Sequence, residues 1–221
     1  MKNIFIIVSV LLSVGFIPQK KTKVIFFGDS ITQAAVNPGG YIRCIDSLCK
    51  LDKLENNYEF TGAGISGNKV YDLYLRIDDD VLAKKPDVVI IYIGVNDVWH
   101  KATSGTGTDA DKFTRFYQAI IDKLKGINSK VILCTPAAIG EKTDFSNSQD
   151  GDLNEYSKII RGIATKNNLP VVDLRKIFLD YNLKNNAENK DRGVLTTDRV
   201  HLNAKGNQVV AQEMWKAIKG L

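Results

Sequence analysis

The stretch Lys23-Val24-Ile25-Phe26-Phe27-Gly28-Asp29-Ser30-Ile31-Thr32 decides how the chain reads. Its apolar half is continuous, β-branched and aromatic, with no polar residue to turn toward water. Such a run, ended by a glycine, is a strand buried on both faces. The pattern recurs. Tyr58-Glu59-Phe60-Thr61 reads as a second strand, Val88 to Ile93 (introduced by Pro86 and closed by Gly94) as a third, Lys130 to Thr135 (stopped by Pro136) as a fourth, and Pro170 to Asp173 as a short fifth. Between them, apolar residues recur at helical spacing: Val70, Leu73, Tyr74, Ile77 and Val81; Phe113, Phe116, Tyr117, Ile120, Ile121, Leu124 and Ile127; Tyr156, Ile159, Ile160, Ile163 and Ala164; Val210, Met214, Ala217 and Ile218. Strands alternating with amphipathic helices predict an α/β fold, a parallel sheet joined by right-handed crossovers and covered on both sides. No repeat, linker or low-complexity tract interrupts residues 21–221, which are expected to form one domain.

Composition narrows the function classes. Of 221 residues, 44% are hydrophobic and 25% charged, which fits a globular chain with a full core. The 30 Lys and Arg against 25 Asp and Glu give +5, spread along the chain without a basic block. No nucleic-acid partner is expected from that distribution. Lys2 followed by the apolar run Ile4 to Ile17 has the shape of a secretory signal, so residues 1–20 are expected to be a signal peptide. The run is shorter than the ~20 residues of a membrane span, and Ser9, Ser13 and Gly15 dilute it. The expectation is export to the periplasm or the medium, with no stable membrane insertion once the signal is removed.

Cys44 and Cys49 stand about 140° apart on a helix, poorly placed to bridge, and Cys134 lies in an apolar strand. With two His and no Cys-x-x-Cys, no metal site is expected. No Gly-x-Gly-x-x-Gly or P-loop follows the first strand, so no nucleotide cofactor is expected either.

Ligands of parallel sheets bind beyond the carboxyl ends of the strands. There the sequence places Gly28-Asp29-Ser30, then Gly62 to Asn68, then Gly94-Val95-Asn96-Asp97, with Asp198-Arg199-Val200-His201 ahead of the last helix. Ser30 needs a base to act as nucleophile, and His201 is the convincing candidate, because an imidazole can both take up and return a proton. Asp198, three residues earlier, is spaced to fix the tautomer of His201. The Ser30 and Gly67 backbone N–H groups and the Asn96 amide are candidate oxyanion donors. Each residue also has a plainer use. Ser30 could be a helix N-cap, Asp198 and His201 a capped turn, Gly67 a turn glycine and Asn96 an Asx-turn. The four clusters together favour chemistry. His100, with no acid at the Asp-x-x-His spacing, reads as rim or surface.

In order and spacing, Gly28-Asp29-Ser30, Gly67, Asn96 and Asp198-x-x-His201 resemble the four blocks of the SGNH (GDSL-type) hydrolase superfamily, over about Lys23 to Leu221. The resemblance implies a three-layer α/β/α, flavodoxin-like fold with five parallel strands. It implies Ser30, Asp198 and His201 as catalytic triad, an oxyanion hole of Ser30, Gly67 and Asn96, and Asp29 and Asp97 as supports, with Asp97 buttressing the Asn96 loop. Block two here begins Gly62-Ala63-Gly64 where many members have Asn first, and block three has Val95 where Gly or Thr is common. The implied activity is a serine esterase working without cofactor or metal. Lysophospholipid and acyl thioester hydrolysis are the alternatives within the superfamily. A non-catalytic glycan-binding module is the rival class, and the intact triad argues against it.

Three polar segments are expected to be loops bordering the site: Lys101 to Asp111, Ala137 to Asp152 and Tyr181 to Thr197. Their polarity favours a small-molecule or carbohydrate ester, with acetyl the favoured acyl group. Val95, Val98 and Trp99 are candidate walls of a small acyl pocket. The oligomeric state is left open.

Overall fold

The computed structural model describes residues 20–221. The expected signal segment lies almost wholly outside the described residues. The chain runs β1 (Thr22–Gly28), α1 (Ser30–Ala34), α2 (Tyr41–Leu51), β2 (Tyr58–Gly64), α3 (Val70–Asp80), β3 (Val88–Tyr92), α4 (Val95–Ser104), α5 (Ala110–Gly126), β4 (Lys130–Cys134), α6 (Asp150–Asn167), β5 (Val171–Val172), α7 (Leu174–Asn185) and α8 (Ala204–Lys219). The five strands are parallel in the order β2-β1-β3-β4-β5, the flavodoxin-like arrangement. Helices cover both faces, with α2 packing on α8 and α3 on α5, which in turn meets α6. The core is built from the apolar runs of β1, β3 and β4 and the buried faces of the helices that cover them. All five residues of β3 are buried, as are Val24 to Gly28 of β1.

Register matters more here than strand count. Gly28, the last residue of β1, pairs with Gly64 of β2 on one side and Tyr92 of β3 on the other. Three adjacent strands therefore end level, and their following loops leave the sheet side by side. β2 runs three residues beyond its expected end at Thr61 because it stays paired with β1 through Gly62, Ala63 and Gly64. The edge of β2 is clasped by α8. Trp215 meets Tyr58 and Phe60 edge-on, with ring centroids 5.2 and 6.0 Å away, and its indole N–H donates to Asp52 at 2.8 Å. The three cysteines are free, with Cys49 and Cys134 buried and Cys44 half-buried.

Two expected loops are shorter than the sequence suggests. Residues 101–104 complete α4, which ends where Gly105 takes a left-handed φ of 68°. Residues 181–185 complete α7. Its buried positions are Leu174, Arg175, Phe178 and Asn182, so polar residues break the apolar stripe and its period is invisible to a hydrophobicity reading. The third expected loop is irregular from Ala137 to Gln149, and α6 takes over at Asp150.

The close approach of α1 to the end of β2 requires a residue without a side chain. A Cβ on Gly64 would stand 2.1 Å from the Gln33 nitrogen and 2.5 Å from the Thr32 carbonyl carbon. Because both are backbone atoms, Gly64→Ala should cost ~1–3 kcal/mol of strain. The thermal midpoint should fall by about 2–4 °C per kcal/mol in a chain of this size. Gly126→Ala, whose Cβ meets open space, is the control. It should change stability by no more than ~0.5 kcal/mol, and calorimetry of the two variants checks both values.

Candidate active site

The turn after β1 is built by Asp29. Its Oδ1 accepts from the Ile31 N–H at 3.0 Å, which makes Asp29 the N-cap of α1. That settles the alternative use of Ser30. The cap is already filled, Ser30 becomes the first helical residue, and its Oγ lies 2.9 Å from His201 Nε2. Tyr41 donates to Thr32 Oγ1 at 2.9 Å, pinning α1 onto α2.

Asp198 and His201 escape their plainer reading in the same way. The cap of α8 is Asn203, whose side chain accepts from the Gly206 N–H at 2.9 Å. Asp198 divides its carboxylate between two tasks. Oδ1 accepts from the Val200 and His201 N–H groups at 3.1 and 2.8 Å, shaping the turn, while Oδ2 lies 2.7 Å from His201 Nδ1. A carboxylate can only accept, so the ring proton sits on Nδ1 and the Nε2 lone pair faces Ser30. Partial burial works against the Asp198 charge, but the hydrogen bonds from the His201 N–H and ring and from Val200 hold its carboxyl below the ordinary range. The pair stands open to solvent, with 35% of the His201 side chain and 48% of the Asp198 side chain exposed.

The oxyanion candidates lie on the segments that follow β1, β2 and β3. Gly67 follows β2 with a φ of +77°, left-handed backbone that costs an L side chain about 1–2 kcal/mol. Asn96 lies buried in the first turn of α4, not at a strand end, and one N–H of its amide donates to the Asn68 carbonyl at 3.1 Å. An amide nitrogen carries two N–H groups, so the second is left for a ligand.

Asp97 corrects an expectation. It does not brace the Asn96 loop, being itself part of α4, and its Oδ1 instead accepts from the N–H of Val70, the first residue of α3, at 3.1 Å. It therefore anchors the turn that carries Gly67. Burial drives the Asp97 carboxyl up to about 6. Burial likewise drives Asp29 up to about 7, and the neighbouring Asp97 charge adds to the rise.

Of the three candidate pocket walls, Val95 and Val98 are core residues, whereas the half-buried Trp99 stands edge-on to His201 with centroids 6.4 Å apart. His100 lies closer to the site than a rim residue. Its Cε1 sits 3.9 Å from where a Cβ on Gly67 would be, and burial followed by the nearby Lys69 charge lowers its pKa.

Glu141 escaped the sequence reading altogether. It is 1% exposed, and its carboxylate takes three consecutive N–H groups, from Val194, Leu195 and Thr196, at 2.8, 2.6 and 2.7 Å. That clamp ties the loop after β4 to the segment leading into Asp198. The available signal was an acid directly after the small apolar run Ala137-Ala138-Ile139-Gly140. Among the described residues, no group of three or more His, Cys, Asp or Glu is placed to hold a metal ion.

A family model of the GDSL-like lipase/acylhydrolase family matches residues 26–209. The chain belongs to that family. Membership makes this GDSL-like protein a carboxylic ester hydrolase. It is 29% identical over 214 residues to an acetylxylan esterase of Geobacillus stearothermophilus, spanning 89% of this chain and 93% of that protein. It is 23% identical over 215 residues to a GDSL esterase/lipase of Arabidopsis thaliana, spanning 90% of this chain and 79% of that one. Among solved structures it resembles the acetyl xylan esterase AlAXEase, with 66% identity, a TM-score of 0.87, and coverage of 89% of this chain and 99% of that chain.

The two buried acids of this GDSL-like hydrolase make its stability depend on pH. Each binds its proton more readily folded than unfolded, so the folded state holds more protons between about pH 4 and pH 7. Stability should therefore fall as pH rises through that window. Asp97→Asn keeps the acceptor for Val70 and removes one titration. Urea midpoints at about pH 4.5, 6 and 8 should show a shallower decline in the variant, smaller by on the order of 2 kcal/mol.

Proposed function

We propose that this hydrolase is a serine esterase that removes short acyl groups, acetyl above all, from hydroxyls of carbohydrates. The observation that carries the reading is the relay from Ser30 Oγ through His201 to Asp198, at 2.9 and 2.7 Å. His201 Nε2 takes the Ser30 proton as Oγ attacks the ester carbonyl, and Asp198 stabilises the imidazolium that forms. The negative charge developing on the carbonyl oxygen is received by the Ser30 and Gly67 N–H groups and the free N–H of Asn96. His201 then returns the proton to the departing sugar oxygen. A water deprotonated by the same nitrogen releases the acetate from Ser30. Asp29 and Asp97 support the two turns without entering the chemistry.

The substrate class draws support from the similarity to acetylxylan esterases and from the polar segments around the site, which offer hydrogen bonds to a sugar. Among the described residues, no helix is long and apolar enough to cross a membrane. We place the action on extracytoplasmic carbohydrate, because Lys2 and the apolar run after it read as an export signal.

The test is hydrolysis of p-nitrophenyl acetate, butyrate and octanoate and of acetylated xylooligosaccharides. Rates should fall with acyl length and vanish in Ser30→Ala. Asn96→Ala should lose about 10²–10³ in kcat, the scale of one oxyanion donor. A rate that rises with chain length would replace the carbohydrate ester with a lipid or thioester substrate, and a Ser30-independent rate would overturn the mechanism.

A further inference from the structure

One cation on α3 contacts the ends of β1 and β2, the strands that lead to Ser30 and Gly67. Arg76 lies two turns into that helix with its side chain 15% exposed, its guanidinium carbon 4.5 Å above the Phe27 ring. Its Nη2 donates to the Gly28 carbonyl at 2.8 Å and to the Ala63 carbonyl at 3.0 Å. Its Nε donates to Asn68 Oδ1 at 2.6 Å, and its Nη1 to Asp80 at 2.5 Å. Gly28 ends β1 and Ala63 stands one residue before the end of β2, and the Gly28 carbonyl also accepts from the Ile65 N–H at 3.2 Å. Asn68 follows Gly67, and its own carbonyl accepts the Asn96 amide.

We infer that Arg76 is a positioning residue for the oxyanion hole, holding Ser30, Gly67 and Asn96 at fixed separation through Gly28, Ala63 and Asn68. The inference rests on the esterase reading above. A flat guanidinium presents five N–H donors in fixed directions, of which four are used here, and stacks on an aromatic face at the same time, while the compact ammonium of lysine does neither. Asp80 balances the charge, so the group can sit beneath the turns without an uncompensated cation. Arg76 touches no reacting atom. Its effect must appear where donor placement counts, in the transition state and not in ground-state binding.

The experiment compares wild type, Arg76→Lys and Asn68→Ala on p-nitrophenyl acetate well below their thermal midpoints. Arg76→Lys should lower kcat by about 10–100-fold with KM within about threefold, the scale of a misplacement near 1 Å. Asn68→Ala deletes only the acceptor of Arg76 Nε and should lower kcat by a smaller factor, again with KM nearly constant. The double variant should lose little beyond Arg76→Lys, because both act through one contact. A kcat within about twofold of wild type in folded Arg76→Lys would overturn the inference. Should that variant fail to fold, Asn68→Ala decides alone, and an unchanged kcat there overturns it equally. A rise in KM with constant kcat would assign Arg76 to substrate binding and also overturn it. Wild type inactive on every ester would instead bring down the esterase reading, so the two failures are distinguishable.

Discussion

The site depends on the level ending of three parallel strands. Neighbouring strands lie about 4.8 Å apart, so loops leaving β2, β1 and β3 at one height are neighbours before any side chain contributes. The pairing of Gly28 with Gly64 and Tyr92 sets that height. A slip of one residue in either pairing would move Gly67 or Asn96 by some 3 Å relative to Ser30 and turn every side chain of the slipped strand to the opposite face. The buried apolar runs of β1 and β3 make such a slip prohibitively costly, and in this sense the hydrophobic core holds the site together.

The fourth loop has no such guarantee. Asp198 and His201 come from the long connection between α7 and α8, which no strand delivers. Here a charge does what the sheet does elsewhere. Glu141 gathers three consecutive N–H groups of that connection, and the Gly140 N–H donates to the Arg199 carbonyl at 2.9 Å. A buried carboxylate is tolerable only when its oxygens are satisfied, and the backbone of 194–196 satisfies them. Asp29 and Asp97 each spend an oxygen on the N–H of a helix start, but Asp97 Oδ2 is buried without a partner, in keeping with a carboxyl that burial drives up.

What was legible in the chain follows from the kind of physics involved. β1, β3 and β4 were legible because burial on both faces leaves an unbroken apolar run, and α3, α5, α6 and α8 because one face packs. α4 and α7 were not. The first opens with the polar Asn96 and Asp97, and the second buries Arg175 and Asn182, so neither displays a clean period. Ser30 could be named from its place after a buried strand and Asp198 with His201 from their three-residue spacing, although the Ser30–His201 contact itself spans 171 residues. Glu141 could not, nor could the contacts of Arg76 beyond its own helix, because those partners lie 53–55 and 8–48 residues away in sequence. The Asp97 correction has the same origin, its Val70 partner being 27 residues distant.

The exposure of the relay bears on the second half of the reaction. With the side chains of Asp198 and His201 a third to a half exposed, Nε2 stands within reach of bulk liquid once the first product leaves. An acyl group parked on Ser30 would then meet whichever hydroxyl arrives, and solvent prevails by abundance without being chosen. Discrimination is thereby confined to the first partner, while the fate of the acyl group is left to mass action. Such a site can serve a bulky polymer, which could neither enter a closed chamber nor leave one.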